Sequence, residues 1–351
     1  MSADAVHIRR DGRAGRITLQ RPEALNALTH AMIRTIEAAI DAWRDDGGVA
    51  LIVIDAKGDK AFCAGGDIQA LYHAGKSGDF ASAQRFWADE YRLNAKLHDY
   101  PKPIVALMQG FVMGGGVGLG CHASHRIIAP DTTVAMPECG IGLVPDVGGS
   151  LILARAPGRL GEYLALTGAR VSGADAAYAG FADAVVEREK WPDLMTRLTE
   201  AADLSCIAAA AIRPAAPIAA QAALIDRHFA AGTVPDILHS LESAAPDEND
   251  LASAALKMMR RNAPLSMACA LEILHRLRRD GADIARALDL EYRFTFRALE
   301  HSDFIEGVRA QVIDKDRTPI WRHTPATLPD SAVADMLAPL GADRLSLQEK
   351  G

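Results

Sequence analysis

The sequence predicts an α/β fold that turns helical in its second half. Short apolar runs alternate with stretches of helical spacing up to about residue 155, after which the pattern is helical and alanine-rich. Two of the early runs, 50–55 (ALIVID) and 104–108 (IVALM), are apolar without alternation. Strands covered on both faces read this way, as in parallel sheets.

Taken in order, residues 6–9 and 16–19 read as paired strands around the turn at Asp11-Gly12. Leu25, Leu28, Met32, Ile36 and Ile40 fall at helical spacing, with Thr29 placed to cap the free amides. Gly47-Gly48 is the expected stop. After the strand at 50–55 comes the loop AFCAGGD (61–67), with a helix starting at Asp67. Residues 79–99 read as one long helix, capped by Asp79 and ended before Pro101. Strands follow at 104–108 and 126–129, then short helices at 160–166 and 174–179 and a strand near 184–186. Pro214, Pro217, Pro235 and Pro246 divide the next region into short helices and loops. PDEND (246–250) reads as an exposed turn and helix start, and 271–277 and 282–297 as longer helices.

Composition narrows the function classes. The 351 residues are 49% hydrophobic and 24% charged, enough apolar material for a sizeable core. A formal net charge of −7 argues against a nucleic-acid-binding surface. No apolar run approaches the ~20 residues of a membrane span. The N-terminal stretch lacks a signal-peptide core or a transit-peptide pattern, which gives the expectation of a cytoplasmic protein. Five cysteines without a CxxC pair fit buried reduced thiols better than a disulfide frame.

Two glycine-rich stretches point to chemistry. AFCAGGD and GFVMGGGVGLG (110–120) each begin where an apolar run stops, and the second opens a helix. Glycines at such junctions admit a ligand close to the backbone and leave amide N–H groups unpaired. Two such donors from different loops make a site for an oxygen that gains negative charge; the bland alternative is tight packing of loop on helix. Glu138 follows a proline in an apolar segment, where a buried carboxyl would be pushed towards a useful acid–base pKa. Asp146, in a Pro-Asp-Val-Gly-Gly turn, fits catalysis or an Asx-turn or helix N-cap equally by its residue context.

Other motifs are weaker. GLGCHA (118–123) nominally matches a dinucleotide fingerprint but lies well beyond its strand. Gly75-Lys76-Ser77 lacks the first P-loop glycine, since position 70 is alanine. Ser150 has no GxSxG context. His122 and His125 lack an HExxH frame, so no metal site is expected.

KAFCAGGDI (60–68), QGFVMGGGVGLGCH (109–122) and AMPECGIGLVPDVGG (135–149), with FWADEYRLN (86–94) and EYRFTFRALEHSDFIEGVRAQVIDKDRTPIW (291–321), resemble the enoyl-CoA hydratase/isomerase (crotonase) superfamily. Within it the match is nearest to the 3-hydroxyisobutyryl-CoA hydrolases. The resemblance covers about residues 4–323 in order and implies a spiral of ββα units with helices completing it. On that basis 1–190 is the core carrying the active site, 191–325 a helical region completing the same domain, and 326–351 a tail.

The resemblance also implies roles. The amides of Gly66 and Gly115 would take the thioester oxygen, with Gly65, Asp67 and Gly114 beside them, and the helix opening near Gly115 adding its positive end. Glu138 would be nucleophile or general base. Asp146, with Glu90, would hold the substrate hydroxyl or relay a proton. Hydratases of the superfamily carry a glutamate two residues after GGG; here that position is Gly118. The implied activity is therefore hydrolysis of a CoA thioester, 3-hydroxyisobutyryl-CoA in valine breakdown. A hydratase or isomerase of the same fold is the runner-up, and a non-catalytic acyl-CoA-binding protein is a third reading. No metal or redox cofactor is expected, CoA entering as part of the substrate. Lys102, Arg126, Lys315 and Arg317 are candidate phosphate partners, and superfamily analogy suggests a homo-oligomer.

Overall fold

The computed structural model describes residues 5–245 and 249–347. The chain runs β1 (Val6–Asp11), β2 (Ala14–Leu19), α1 (His30–Trp43), β3 (Leu51–Ala56), β4 (Ala61–Cys63), α2 (Ile68–Ser77), α3 (Phe80–His98), β5 (Ile104–Met108), β6 (Phe111–Met113) and α4 (Gly115–Gly120). It continues through β7 (His125–Ile128), β8 (Thr133–Ala135), α5 (Gly149–Arg155), α6 (Leu160–Thr167), β9 (Val171–Ser172), α7 (Gly173–Tyr178) and β10 (Ala184–Val185). Helices follow: α8 (Trp191–Ala201), α9 (Ser205–Ala210), α10 (Ala222–Phe229), α11 (Val234–Glu242), α12 (Asn249–Met259), α13 (Pro264–Asp280), α14 (Ile284–His301), α15 (Phe304–Val308) and α16 (Asp330–Met336).

These elements form two compact units, neither contiguous in sequence. One comprises Met1–Gly66, Arg92–Val134 and Val171–Pro217; the other comprises Asp67–Tyr91, Ala135–Arg170 and Ile218–Gly351. In the first, β1 and β2 pair antiparallel, and β3, β5, β7 and β10 add in parallel to give the order β1-β2-β3-β5-β7-β10. Leu51, Val53, Val105, Leu107 and Ile127 on one face pack with Leu194 and Leu198 of α8. Ile52, Ile54 and Ala106 point the other way and are equally buried, which is why these runs do not alternate. A smaller sheet, β4-β6-β8-β9, carries the short strands next to the glycine loops.

Several expectations change. Helix α1 begins at His30, not near Leu25, because Leu25 and Asn26 adopt left-handed φ of 51° and 55°. Buried Asn26 accepts from the Arg21 amide at 2.8 Å and donates to the carbonyls of Lys57 and Ala61 at 3.0 and 2.9 Å, so its side chain ties three chain segments together instead of lining a helix. The same helix ends at Trp43, ahead of Gly47-Gly48. Strands β4, β6, β8 and β9 are two or three residues long and too short to show a period. Thr29 caps α1 through the Met32 amide at 3.3 Å, and Asp79 Oδ1 accepts from the Ser82 amide at 3.2 Å, both as expected. Of the PDEND turn, residues 246–248 lie outside the described residues. Within 326–347, α16 seats Met336 and Leu337 in buried positions, and Arg297 Nη1 donates to the carbonyls of Met336 and Ala338 at 3.1 and 3.0 Å.

Candidate active site

The first unit holds a pair of backbone donors. Strands β4 and β6 run parallel, Ala61 beside Phe111 and Cys63 beside Val112. Beyond β4 the chain passes through Gly65 at φ +119°, which turns its carbonyl towards the Leu28 amide at 2.9 Å. Beyond β6, Gly114 enters α4 at φ 48°. The two loops lie backbone to backbone: a Cβ on Gly116 would meet the Cys63 carbonyl oxygen at 2.2 Å, and one on Gly65 would stand 4.0 Å from the Gly115 nitrogen. Among the described residues neither the Gly66 nor the Gly115 amide donates to a backbone carbonyl. Gly115 opens α4, where the first amides have no partner within the helix.

The second unit holds a cluster of buried carboxyls. Glu138 follows Pro137 at the start of a 3-10 turn, Glu138–Ile141; it is 6% exposed, and its Oε2 has no hydrogen-bond partner among the described residues. Asp146 is 5% exposed and accepts the Tyr91 hydroxyl at Oδ2, 2.8 Å away. Thr295 Oγ1 lies 3.4 Å from the same hydroxyl. Glu90, next to Tyr91 on α3, is buried with Oε1 unpartnered. Glu291 of α14 accepts from the amides of Gly148 and Ser150 at 2.8 and 3.1 Å and is bonded to the Ser150 hydroxyl.

Carboxyls crowded into a dry region resist ionisation together. Burial, then the Asp146 charge, holds Glu138 and Glu90 well above the ordinary glutamate range. Burial pushes Asp146 up to about 7 and Glu291 to about 8, each restrained by the donors it accepts. These shifts set the two groups apart. Asp146, bonded to the Tyr91 hydroxyl, ionises near neutrality, whereas the Glu138 carboxyl is held well above its ordinary range.

Thus Gly65, Gly66, Gly114 and Gly115 come together in one unit, and Glu90, Glu138 and Asp146 in the other. Asp67 takes the N-cap position of α2 without a side-chain cap bond. Asp146 does not cap α5 either: the N-cap residue is Gly148, the first amides are taken by Glu291, and the Asp146 carboxylate turns to Tyr91. Of the candidate phosphate partners, Lys102 Nζ holds the carbonyls of Trp43 and Asp46 at 2.5 and 2.7 Å, and Arg126 is paired with Asp183 at 2.5 Å. Lys315 and Arg317 remain exposed.

Tyr91, Ser150, Glu291 and Thr295 join the site without having been singled out for it. A signal was present for Glu291 and Thr295: both share the α14 spacing of Ile284, Ala287, Leu288, Phe294 and Ala298, a polar pair on an apolar stripe.

Comparison with known proteins shows the family and the fold. The family model for enoyl-CoA hydratase/isomerase matches residues 14–337. The chain is 40% identical to the mitochondrial 3-hydroxyisobutyryl-CoA hydrolase of Danio rerio, covering 90% of this chain and 84% of that one. It is 37% identical to the Homo sapiens protein of the same name, covering 95% and 88%. A crystal structure of an enoyl-CoA hydratase from Rhodobacter sphaeroides superposes with a TM-score of 0.91 at 53% identity, covering 97% of this chain and 99% of that one. A carnitinyl-CoA dehydratase from Mycobacterium thermoresistibile gives 0.92 at 39%, covering 99% and 100%. The curated relatives are mitochondrial by name, so the cytoplasmic location expected from the N-terminal sequence does not stand.

Proposed function

Since the chain belongs to the enoyl-CoA hydratase/isomerase family and has the crotonase fold, we propose that it hydrolyses 3-hydroxyisobutyryl-CoA to 3-hydroxyisobutyrate and CoA. The observation that carries the reaction class is Gly118. It lies buried within α4, two residues beyond the triple glycine, where a hydratase of this superfamily needs a second carboxylate. One half of a hydration pair is therefore absent, while the buried Glu138 and Asp146 supply carboxyls of different basicity.

The proposed roles follow from charge. Attack on a thioester moves negative charge onto its oxygen, and the amides of Gly66 and Gly115 receive it, with Gly65 and Gly114 shaping the loops. Loss of one such donor costs on the order of 3 kcal/mol of barrier in comparable sites. In one route Glu138 attacks the carbonyl, the C–S bond breaks, the CoA thiolate leaves and takes a proton, and water then hydrolyses the acyl–Glu138 anhydride to release the acid. In the other, Glu138 takes a proton from the attacking water, the C–S bond of the adduct breaks, and that proton passes to the departing CoA thiolate. The unpartnered Oε2 suits Glu138 to either task, since among the described residues no donor competes for its lone pairs. Asp146, oriented by Tyr91, and Glu90 hold the substrate hydroxyl or pass a proton. Acyl-CoA is the partner this chemistry demands.

A panel of acyl-CoA esters with a thiol reagent tests the assignment. Rapid release of CoA from 3-hydroxyisobutyryl-CoA is expected, with slow or undetectable hydration of crotonyl-CoA. If crotonyl-CoA loses its enoyl absorbance faster than 3-hydroxyisobutyryl-CoA releases thiol, the hydratase reading replaces this one.

A further inference from the structure

The turn that carries Asp146 is an awkward piece of chain. Val147 takes φ +55° and Gly148 φ +75°, two successive left-handed residues, the first of them β-branched. A β-branched side chain in that region is strained and persists only where its surroundings hold it. Helix α5 then starts at Gly149 with Gly148 as its N-cap, a residue with no side chain to satisfy the free amides.

Glu291 supplies what the turn lacks. From α14 its two oxygens take the Gly148 amide at 2.8 Å, the Ser150 amide at 3.1 Å and the Ser150 hydroxyl. Glu291 is fully buried, and these three donors, rather than a cation, compensate its burial. We propose that Glu291 is the positioning residue for Asp146: its carboxylate locks the Val147–Gly148 bend, so that the Asp146 side chain meets Tyr91 and not solvent. Among the described residues the one side chain that Asp146 accepts from is Tyr91, beside a backbone amide of its own turn, so its aim is set by the backbone beneath it. Glu291 senses the charge of Asp146 on the turn, and its own charge is sensed by Glu138 on the 3-10 turn and Tyr91 on α3. Removal of its charge therefore reaches Glu138 and Tyr91 electrostatically, and Asp146 through the bend and the Tyr91 bond.

This rests on the reading of Asp146 as a working residue of a thioester hydrolase, and the test separates the two. In the full chain, Glu291→Gln keeps the size but turns an amide donor towards a backbone N–H. It should lower kcat about 10–100-fold with KM within about threefold, the cost of a displaced group rather than a lost contact. The ionisation that Asp146 contributes to the pH–rate profile should move to higher pH, because the Tyr91 hydroxyl that holds it down is displaced. Ser150→Ala, which deletes one donor, should move kcat in the same direction by a smaller factor, about threefold. Crystal structures of parent and Glu291→Gln should show the bend at Val147 relaxed and the Tyr91–Asp146 bond lengthened or lost. A Glu291→Gln protein that keeps that bond, or whose kcat per folded molecule and pH profile match the parent, overturns the proposal. The crystallographic arm holds even if the parent releases no CoA, a result that sinks the hydrolase reading alone.

Discussion

Replacing Glu138 by Gln will remove nearly all thioester hydrolysis, lowering kcat by about 10²–10⁴-fold, the usual worth of a general base, while acyl-CoA binding stays within about tenfold. Glutamine keeps the size of the side chain and can still hydrogen-bond, but it neither attacks a carbonyl nor accepts a proton. The parent enzyme carries a signature of the same residue. Burial and the Asp146 charge hold the Glu138 carboxyl well above its ordinary range, so the active carboxylate forms only as pH rises. The parent kcat/KM should therefore climb with pH through neutrality, where an ordinary glutamate would have levelled off by about pH 6. Single-turnover rates and isothermal binding on the folded variant give the first comparison, and a pH–rate profile the second. A Glu138→Gln enzyme within about tenfold of the parent rate would move the chemistry to another group.

Asp146→Asn is expected to be inactive and yet more stable than the parent. The catalytic loss, at least about 100-fold in kcat, follows because asparagine accepts the Tyr91 hydroxyl but carries no charge and relays no proton. The stability gain follows from the proton balance. In the unfolded chain Asp146 ionises near 3.8, whereas in the fold burial raises it to about 7. The folded state thus binds the extra proton between those values, and the stability linked to it is full below pH 4 and lost as pH rises through 7. Asparagine has nothing to lose. Above pH 7 the variant should melt at least about 2 °C higher than the parent, with the difference vanishing near pH 4. Thermal denaturation at both pH values decides this. A variant destabilised at high pH, with activity lost in step with folding, would assign Asp146 to holding the turn. Such a site residue, costly to stability and needed for rate, is where a fold and its function pull apart.

The sequence by itself determined a good deal. The continuous apolar strands, the caps at Thr29 and Asp79, the helical second half and the two glycine loops could all be read because each depends on neighbours in the chain. Period, capping and turn chemistry are local. Glu138 was legible for the same reason, as a carboxylate set in an apolar segment, and Gly118 as a side chain missing from a motif. Tertiary structure decided the rest. Asn26 keeps the helix from reaching back to Leu25 because its partners, Lys57 and Ala61, come from other segments. Asp146 had two readings from its turn. Only the hydroxyl of Tyr91, brought up from α3, turned its carboxylate away from the helix end. Glu291 lies far along the chain from Gly148 and Ser150, and hydrogen bonds between such distant residues leave no trace in local pattern. Burial sets their pKa values too, and burial belongs to the packed molecule rather than to any stretch of its sequence.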